Sequence, residues 1–258
     1  MRSITSPSTC NRSVGAPRVG TERASTSSRG RDDRAGALNA VADGSRIEAV
    51  ISDFGGVLTS PMLDSFAAFQ DSSGISLEQL GAAMGALWQQ LGANPLFELE
   101  TGRMTEARFL DLLSAQLTSQ LGRDVELQGF GERYFEHLHP NEPMIELMRE
   151  LHGRGYKLAI CTNNVREWER LWRAKLPVDE IFETVVDSAF VGTRKPERRI
   201  YELTLERLGV SPAAALLIDD IELNCDAARE LGMDAIWFRS NDQAIAEIEA
   251  RLHQDGRT

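Results

Sequence analysis

The chain has 258 residues, 42% hydrophobic and 26% charged, with a formal net charge of -11. That length supports one or two domains with a full core, and the acidic balance disfavours nucleic acid or an anionic membrane as the main partner. No apolar run approaches the roughly 20 residues that span a bilayer. Cys10, Cys161 and Cys225 lack any CxxC or paired Cys/His spacing, which argues against a zinc site or disulfide framework and fits a reducing, cytoplasmic compartment.

Residues 1–45 are rich in Ser, Thr, Arg, Gly and Ala and carry no apolar periodicity. Seven arginines against Glu22, Asp32, Asp33 and Asp43 give +3, leaving -14 on the remainder. Such a segment buries too little apolar surface to offset its ordering entropy and is expected to be disordered. It has no apolar h-region, so it does not read as a secretory signal. A dispensable extension, an organellar transit peptide and an interaction tail remain open readings.

The stretch Ile47-Glu48-Ala49-Val50-Ile51-Ser52-Asp53-Phe54-Gly55-Gly56-Val57-Leu58 reads as a buried strand closed by an aspartate and a glycine turn. Residues 62–140 are expected to be a helical insert. Met62 to Asp71 carries Phe66 and Phe69 at i, i+3. A helix opened by Ser76 runs to Leu91, one near Thr105 runs to about Leu121, and a further one spans Gly129 to His139. No strand pattern appears there, and an insert behind the Asp53 turn is placed to lid a crevice.

From Pro143 onward, helix and strand alternate. Helices are expected at Met144 to Gly153, Val165 to Leu176, Arg198 to Leu208, Asn224 to Leu231 and Gln243 to Leu252. Strands are expected at Tyr156 to Thr162, Phe182 to Val186, Ala214 to Asp220 and Ala235 to Phe238. This alternation predicts an α/β fold, a doubly wound parallel sheet with helices on both faces and right-handed crossovers. The core is then 46–61 and 141–258, with 62–140 inserted after the first strand.

Three strands end in polar residues: Asp53, Thr162-Asn163-Asn164 and Asp219-Asp220. In a parallel sheet those ends share one edge, where ligands bind. Carboxylates converging there repel one another without a cation, and hard oxygen ligands with room for phosphate and water suit Mg²⁺. The loop Gly192-Thr193-Arg194-Lys195-Pro196 adds a lysine that, with Thr162, would hold a phosphate. Each residue also has a plainer reading. Asp53 is a turn residue, Lys195 a surface lysine, Thr162 a strand-end cap, Asp219 a structural carboxylate and Asn224 a helix N-cap. Trp168 and Trp172 read as core, and His137, His139, His152 and His253 as exposed.

Placed in order across residues 47–238, these motifs resemble those of the haloacid dehalogenase-like hydrolase superfamily. They are the hydrophobic run into Asp53-Phe54-Gly55-Gly56-Val57-Leu58, the strand ending at Thr162, Lys195-Pro196 with Ile200-Tyr201, and Leu217-Ile218-Asp219-Asp220 with Asn224 and Gly232-Met233. The Gly-Gly-Val and Thr-Asn-Asn variants most resemble the glucose-1-phosphatase-like and epoxide-hydrolase N-terminal-like branches, with the helical insert as a small C1-type cap. The resemblance implies an aspartyl-phosphate on Asp53. It implies Mg²⁺ held by Asp53, the Gly55 carbonyl and Asp220, with Asp219 binding it or supporting its shell and Asn224 behind. Thr162 and Asn163 would hydrogen-bond phosphate, and Lys195 would neutralise the phosphoryl group and orient Asp53. The implied activity is a phosphatase of a small phosphorylated metabolite, with no nucleic acid or membrane partner, working as a monomer or homodimer.

One position departs from the pattern. Most phosphatases of the superfamily have a second aspartate two residues after the nucleophile, to protonate the leaving group, and here that position is Gly55. General acid catalysis typically contributes about 10²–10⁴-fold. Either the leaving group is already activated, or His137, His139 or water supplies the proton, or the protein is a slow or inactive binding module. Dehalogenases of the superfamily also lack this aspartate but need no Mg²⁺, so the Asp219-Asp220 pair ranks dehalogenation low.

Overall fold

The computed structural model describes residues 46–61, 69–71 and 73–253. The tail 1–45, most of the expected Met62–Asp71 helix and the last five residues lie outside them. The core is a five-stranded, all-parallel sheet in the order β3-β2-β1-β4-β5, built from β1 (Ala49–Ser52), β2 (Lys157–Thr162), β3 (Thr184–Asp187), β4 (Ala215–Asp219) and β5 (Asp234–Trp237). The chain fills one side of β1 with β2 and β3, then crosses to the other with β4 and β5. The crevice beyond the carboxyl end of β1 is therefore a topological switch point.

Side chains alternate across a strand, and here the alternation feeds two cores. Val50, Leu158, Ile160 and Ile218 pack with Met144 and Met148 of the Glu142–Gly153 helix and with Ile248 of the Asn241–His253 helix. Ile51, Ala159 and Leu217 pack on the opposite face with Ile200 and Leu205 of the Arg198–Leu208 helix and Ala228 of the Glu222–Leu231 helix. Burial on both faces explains why these strands read as continuous apolar runs.

Phe69, Ile75, Leu87, Leu99, Phe109 and Leu117 form a third cluster, joined by Val165 from the core. It is built from helices Leu77–Leu91, Pro95–Glu100 and Glu106–Leu121. Ser76 caps the first with a full capping box: Gln79 N–H donates to its hydroxyl at 3.2 Å, and its own N–H donates to Gln79 Oε1 at 2.9 Å. Thr105 caps the third. The two ends of this segment are clasped together. Thr59 bridges Pro140, Ser60 N–H donates to the His139 carbonyl at 2.7 Å, and Asn141 Nδ2 donates to the Val57 carbonyl at 2.7 Å.

Three short helices escape the periodicity reading: Pro95–Glu100, Val178–Ile181 and Ser188–Val191. They span six, four and four residues, too few for an apolar period to show. The first and third left local signals: Asn94 as cap with Pro95 at the first helical position, and Asp187 as cap with Gly192 as the stop. The expected Val165–Leu176 helix is instead a 3₁₀ turn, Arg166–Trp168, followed by Glu169–Arg173. The tight turn coincides with Trp168, which faces the helical insert, while Trp172 is fully buried against Phe54.

Candidate active site

Parallel register brings the site together. Ser52 pairs with Ile160 of β2 and with Ile218 of β4, so Asp53, Cys161 and Asp219 stand level one residue further on. The Asp53 N–H donates to the Ile218 carbonyl at 2.8 Å. Beyond Asp53 the chain turns at Gly56, which has φ +80°, a value that favours glycine. The turn is tied by the Gly56 N–H to Thr59 Oγ1 at 3.2 Å.

Lys195 is the hub. Its side chain is 1% exposed, and its Nζ lies 2.7 Å from Asp53 Oδ1 and 2.6 Å from Asp219 Oδ2. The two carboxylates outweigh the cost of burying the ammonium and hold it charged, well above the ordinary lysine range. The surface-lysine reading is therefore excluded by geometry. Asn163 fixes the loop that delivers Lys195: its Oδ1 accepts the Lys195 N–H at 2.8 Å, and its Nδ2 donates to the Lys195 carbonyl at 3.0 Å. That carboxamide is thus engaged with a peptide rather than turned to a ligand.

The two aspartates of β4 differ. Asp219 is fully buried, and its Oδ1 accepts the Ile221 N–H and Asn224 Nδ2, both at 2.9 Å, besides the Lys195 contact on Oδ2. Three of its roughly four lone-pair positions are engaged. Asn224 lies inside its helix, behind Asp219, rather than at the N-cap, which is Ile221. Asp220 lines the crevice, and its Oδ1 is buried with no hydrogen-bond partner.

Ligand oxygens of Asp53, Asp219 and Asp220 all lie within 4.8 Å of one another. Three carboxylates against one ammonium leave negative charge in excess. Burial, more than the neighbouring carboxylates, pushes Asp53 up to about 7 against the pull of Lys195, and Asp220 up to about 6. A divalent cation fits this donor set, because it would neutralise the excess and satisfy the orphaned Asp220 oxygen.

Two predictions arise here. A Cβ at Gly56 would sit 2.9 Å from the Asp220 Cγ and closer still to its Oδ2. Gly56→Ala is expected to displace Asp220 and weaken any divalent-cation binding by about tenfold or more, read by titration calorimetry with Mg²⁺ as the probe. The pKa shifts give the second. Asp53 and Asp220 hold protons in the folded, metal-free protein where the unfolded chain has released them, so the stability they contribute is complete below about pH 4 and is lost as pH rises through 6 and 7. Asp187, pushed by burial to about 6, acts in the same sense. Thermal unfolding in chelator is expected to show a lower midpoint at about pH 8 than at about pH 5.

Above the sheet edge lies a cavity of about 410 Å³, lined below by Asp53, Gly55, Thr162, Asn163, Lys195 and Asp220. Thr162 is buried at the end of β2. The roof comes from the helical insert and includes Glu100 and Tyr134. Sequence reasoning did not find these two, since no motif marks them. Arg194, carried beside Lys195, reaches Glu100 Oε2 at 2.6 Å. The histidines expected as alternative proton donors are elsewhere: His137 and His139 are exposed, and no histidine is among the described lining residues.

The chain is similar to several known proteins. A family model for haloacid dehalogenase-like hydrolases matches residues 47–232. The sesquiterpene phosphatase astK of Aspergillus oryzae is 29% identical over 212 residues, 78% of this chain and 94% of that protein. Glyceraldehyde 3-phosphate phosphatase of Pyrococcus furiosus is 31% identical over 108 residues, 42% of this chain and 44% of that one. Several such relatives are longer, and the chain spans less than half their length. A Bacteroides thetaiotaomicron enzyme solved with magnesium and inorganic phosphate superposes with TM-score 0.58 at 23% identity, over 75% of this chain and 94% of that one; at that identity the likeness is one of fold. With 186 consecutive residues matched, from the strand that carries Asp53 to the glycine that ends the helix behind Asp219, the chain belongs to the haloacid dehalogenase-like hydrolase family.

Proposed function

We propose that the protein is a Mg²⁺-dependent phosphatase of a small phosphorylated metabolite, acting through an aspartyl-phosphate on Asp53. The observation that carries this reading is the buried Lys195 ammonium held between Asp53 and Asp219 at the crevice. The lysine leaves one Asp53 oxygen tied and presents the other to a ligand. In the first half-reaction Asp53 attacks phosphorus, the bond from phosphorus to the leaving oxygen breaks, and that oxygen departs with the electron pair. Water then attacks the phosphorus of the aspartyl-phosphate, breaks its bond to the Asp53 oxygen, and releases phosphate and the free carboxylate.

Lys195 and Thr162 line the position of the phosphoryl oxygens. Asp53, Asp220 and the Gly55 carbonyl would hold the cation, which when bound offsets charge on the transferring group. Asp219, with its oxygens engaged, acts by positioning Lys195. The insert of residues 62–140 serves as the cap that excludes water.

A second reading has its own observation. Gly55 offers no side chain to protonate the leaving group, which favours a slow or inactive binding module. Against it stands the rest of the site, assembled and buried. Phosphate release from 4-nitrophenyl phosphate, acetyl phosphate and a panel of sugar phosphates, with and without Mg²⁺, separates the two. Turnover is expected to require Mg²⁺ and to favour 4-nitrophenyl phosphate and acetyl phosphate, whose leaving groups are activated, by about 10²-fold or more, the range a missing general acid leaves uncovered. No turnover with Mg²⁺ bound would move the assignment to a binding module. The relatives carry phosphatase names for chemically different substrates, so those names alone do not select one for this chain.

A further inference from the structure

The cavity has a polar floor and a largely apolar roof, with Glu100 and Tyr134 among its polar members. Leu80, Met84, Leu99, Phe109, Leu113 and Phe130 line the space above Asp53. Several polar atoms near this roof already have protein partners. Arg194 Nε is bound to Glu100 at 2.6 Å, with both side chains about 15% exposed, and its guanidinium stacks over Phe97. The Trp168 N–H donates to Glu106 at 2.6 Å. Asn164 Oδ1 accepts the Val165 N–H at 2.9 Å. A sugar or another polyhydroxy leaving group would bring several hydroxyls into this space, and each hydroxyl buried without a partner is costly.

We infer that the leaving group is an apolar chain or ring system carried on the phosphorylated oxygen, and that the cavity roof selects it. Size supports this. An apolar cavity of about 150 Å³ accepts a benzene ring, so about 410 Å³, part of it taken by the phosphoryl group, accommodates on the order of ten carbons. The inference rests on the phosphatase reading of the same site and deepens it. The roof chooses the body of the substrate, whereas the missing acid at Gly55 constrains the atom bonded to phosphorus.

The test holds leaving-group chemistry constant and varies only apolar length. With Mg²⁺ and the full chain, kcat/KM is measured for 4-alkylphenyl phosphates from methyl to hexyl, with glucose 6-phosphate for comparison. Each added methylene is expected to raise kcat/KM about three- to fourfold until the cavity is full. Dissociation constants of non-hydrolysable n-alkyl phosphonates, butyl to decyl, are expected to fall by the same factor per methylene.

Gly81 lines the cavity, and a Cβ added there meets nothing within 4 Å. It lies within the Leu77–Leu91 helix, where a larger residue suits the backbone better than glycine. Gly81→Trp is expected to lower the decyl-to-butyl affinity ratio at least tenfold. The two readings fail separately. Turnover of 4-nitrophenyl phosphate with no chain-length trend, or with glucose 6-phosphate preferred, overturns the apolar selection alone. Chain-length-dependent phosphonate binding without turnover supports the selection and overturns the phosphatase. A flat response in both series overturns the selection.

Discussion

Asp53→Asn is expected to reduce Mg²⁺-dependent phosphate release by about 10⁴-fold or more, the scale of removing a covalent nucleophile from an otherwise intact site. The amide matches the carboxylate in size and keeps an acceptor toward Lys195, so the fold is retained. In metal-free protein the change removes a buried carboxylate held at about 7 by desolvation, so the thermal midpoint above neutral pH stays level or rises. Mg²⁺ with beryllofluoride is expected to raise the midpoint of the wild type and not of the variant. A variant that kept wild-type turnover would remove Asp53 from the reaction. A variant that lost turnover together with its fold would leave the beryllofluoride response of wild type to decide whether the carboxylate is the nucleophile.

Lys195→Met carries the largest expected effect on stability. The ammonium is buried between two carboxylates, and truncating one partner of such a group leaves charge without compensation, typically at a cost of about 3–5 kcal/mol. For a domain of this size that corresponds to roughly 6–20 °C in unfolding midpoint. The sign with pH is fixed by Asp53: its carboxyl is protonated in acid, so the loss is smallest near about pH 5 and grows as pH rises through 7. Urea unfolding at two pH values measures this. Adding Asp219→Asn to Lys195→Met is expected to recover part of the stability, because the amide keeps its Asn224 and Ile221 contacts without the charge. An exposed or weakly coupled lysine would produce neither the loss nor the recovery.

Much of this protein is legible in local sequence. The runs into Asp53, Thr162 and Asp219 are continuous and apolar because both faces of the sheet are covered. The helices between them carry their own caps and stops, such as Ser76 with Gln79, Thr105, and Gly209 after Leu208. Parallel pairing then places the three strand ends on one edge, so the identity of the converging groups follows from order alone. What sequence left open was the partner of each group, because a hydrogen bond is decided by about an ångström of position and spacing along the chain does not carry that precision. Tertiary structure made Lys195 a buried hub, turned Asn163 to the Lys195 peptide, and tied Asp219 to the lysine while leaving an Asp220 oxygen without a partner. It also set Glu100 against Arg194, 94 residues apart, and placed a largely apolar lining above the carboxylates from helices that periodicity describes only as amphipathic. The chain order fixed which chemistry meets at the sheet edge, since strands are local and parallel register is regular. Which oxygen faces a ligand, and what body that ligand carries, depended on long-range packing.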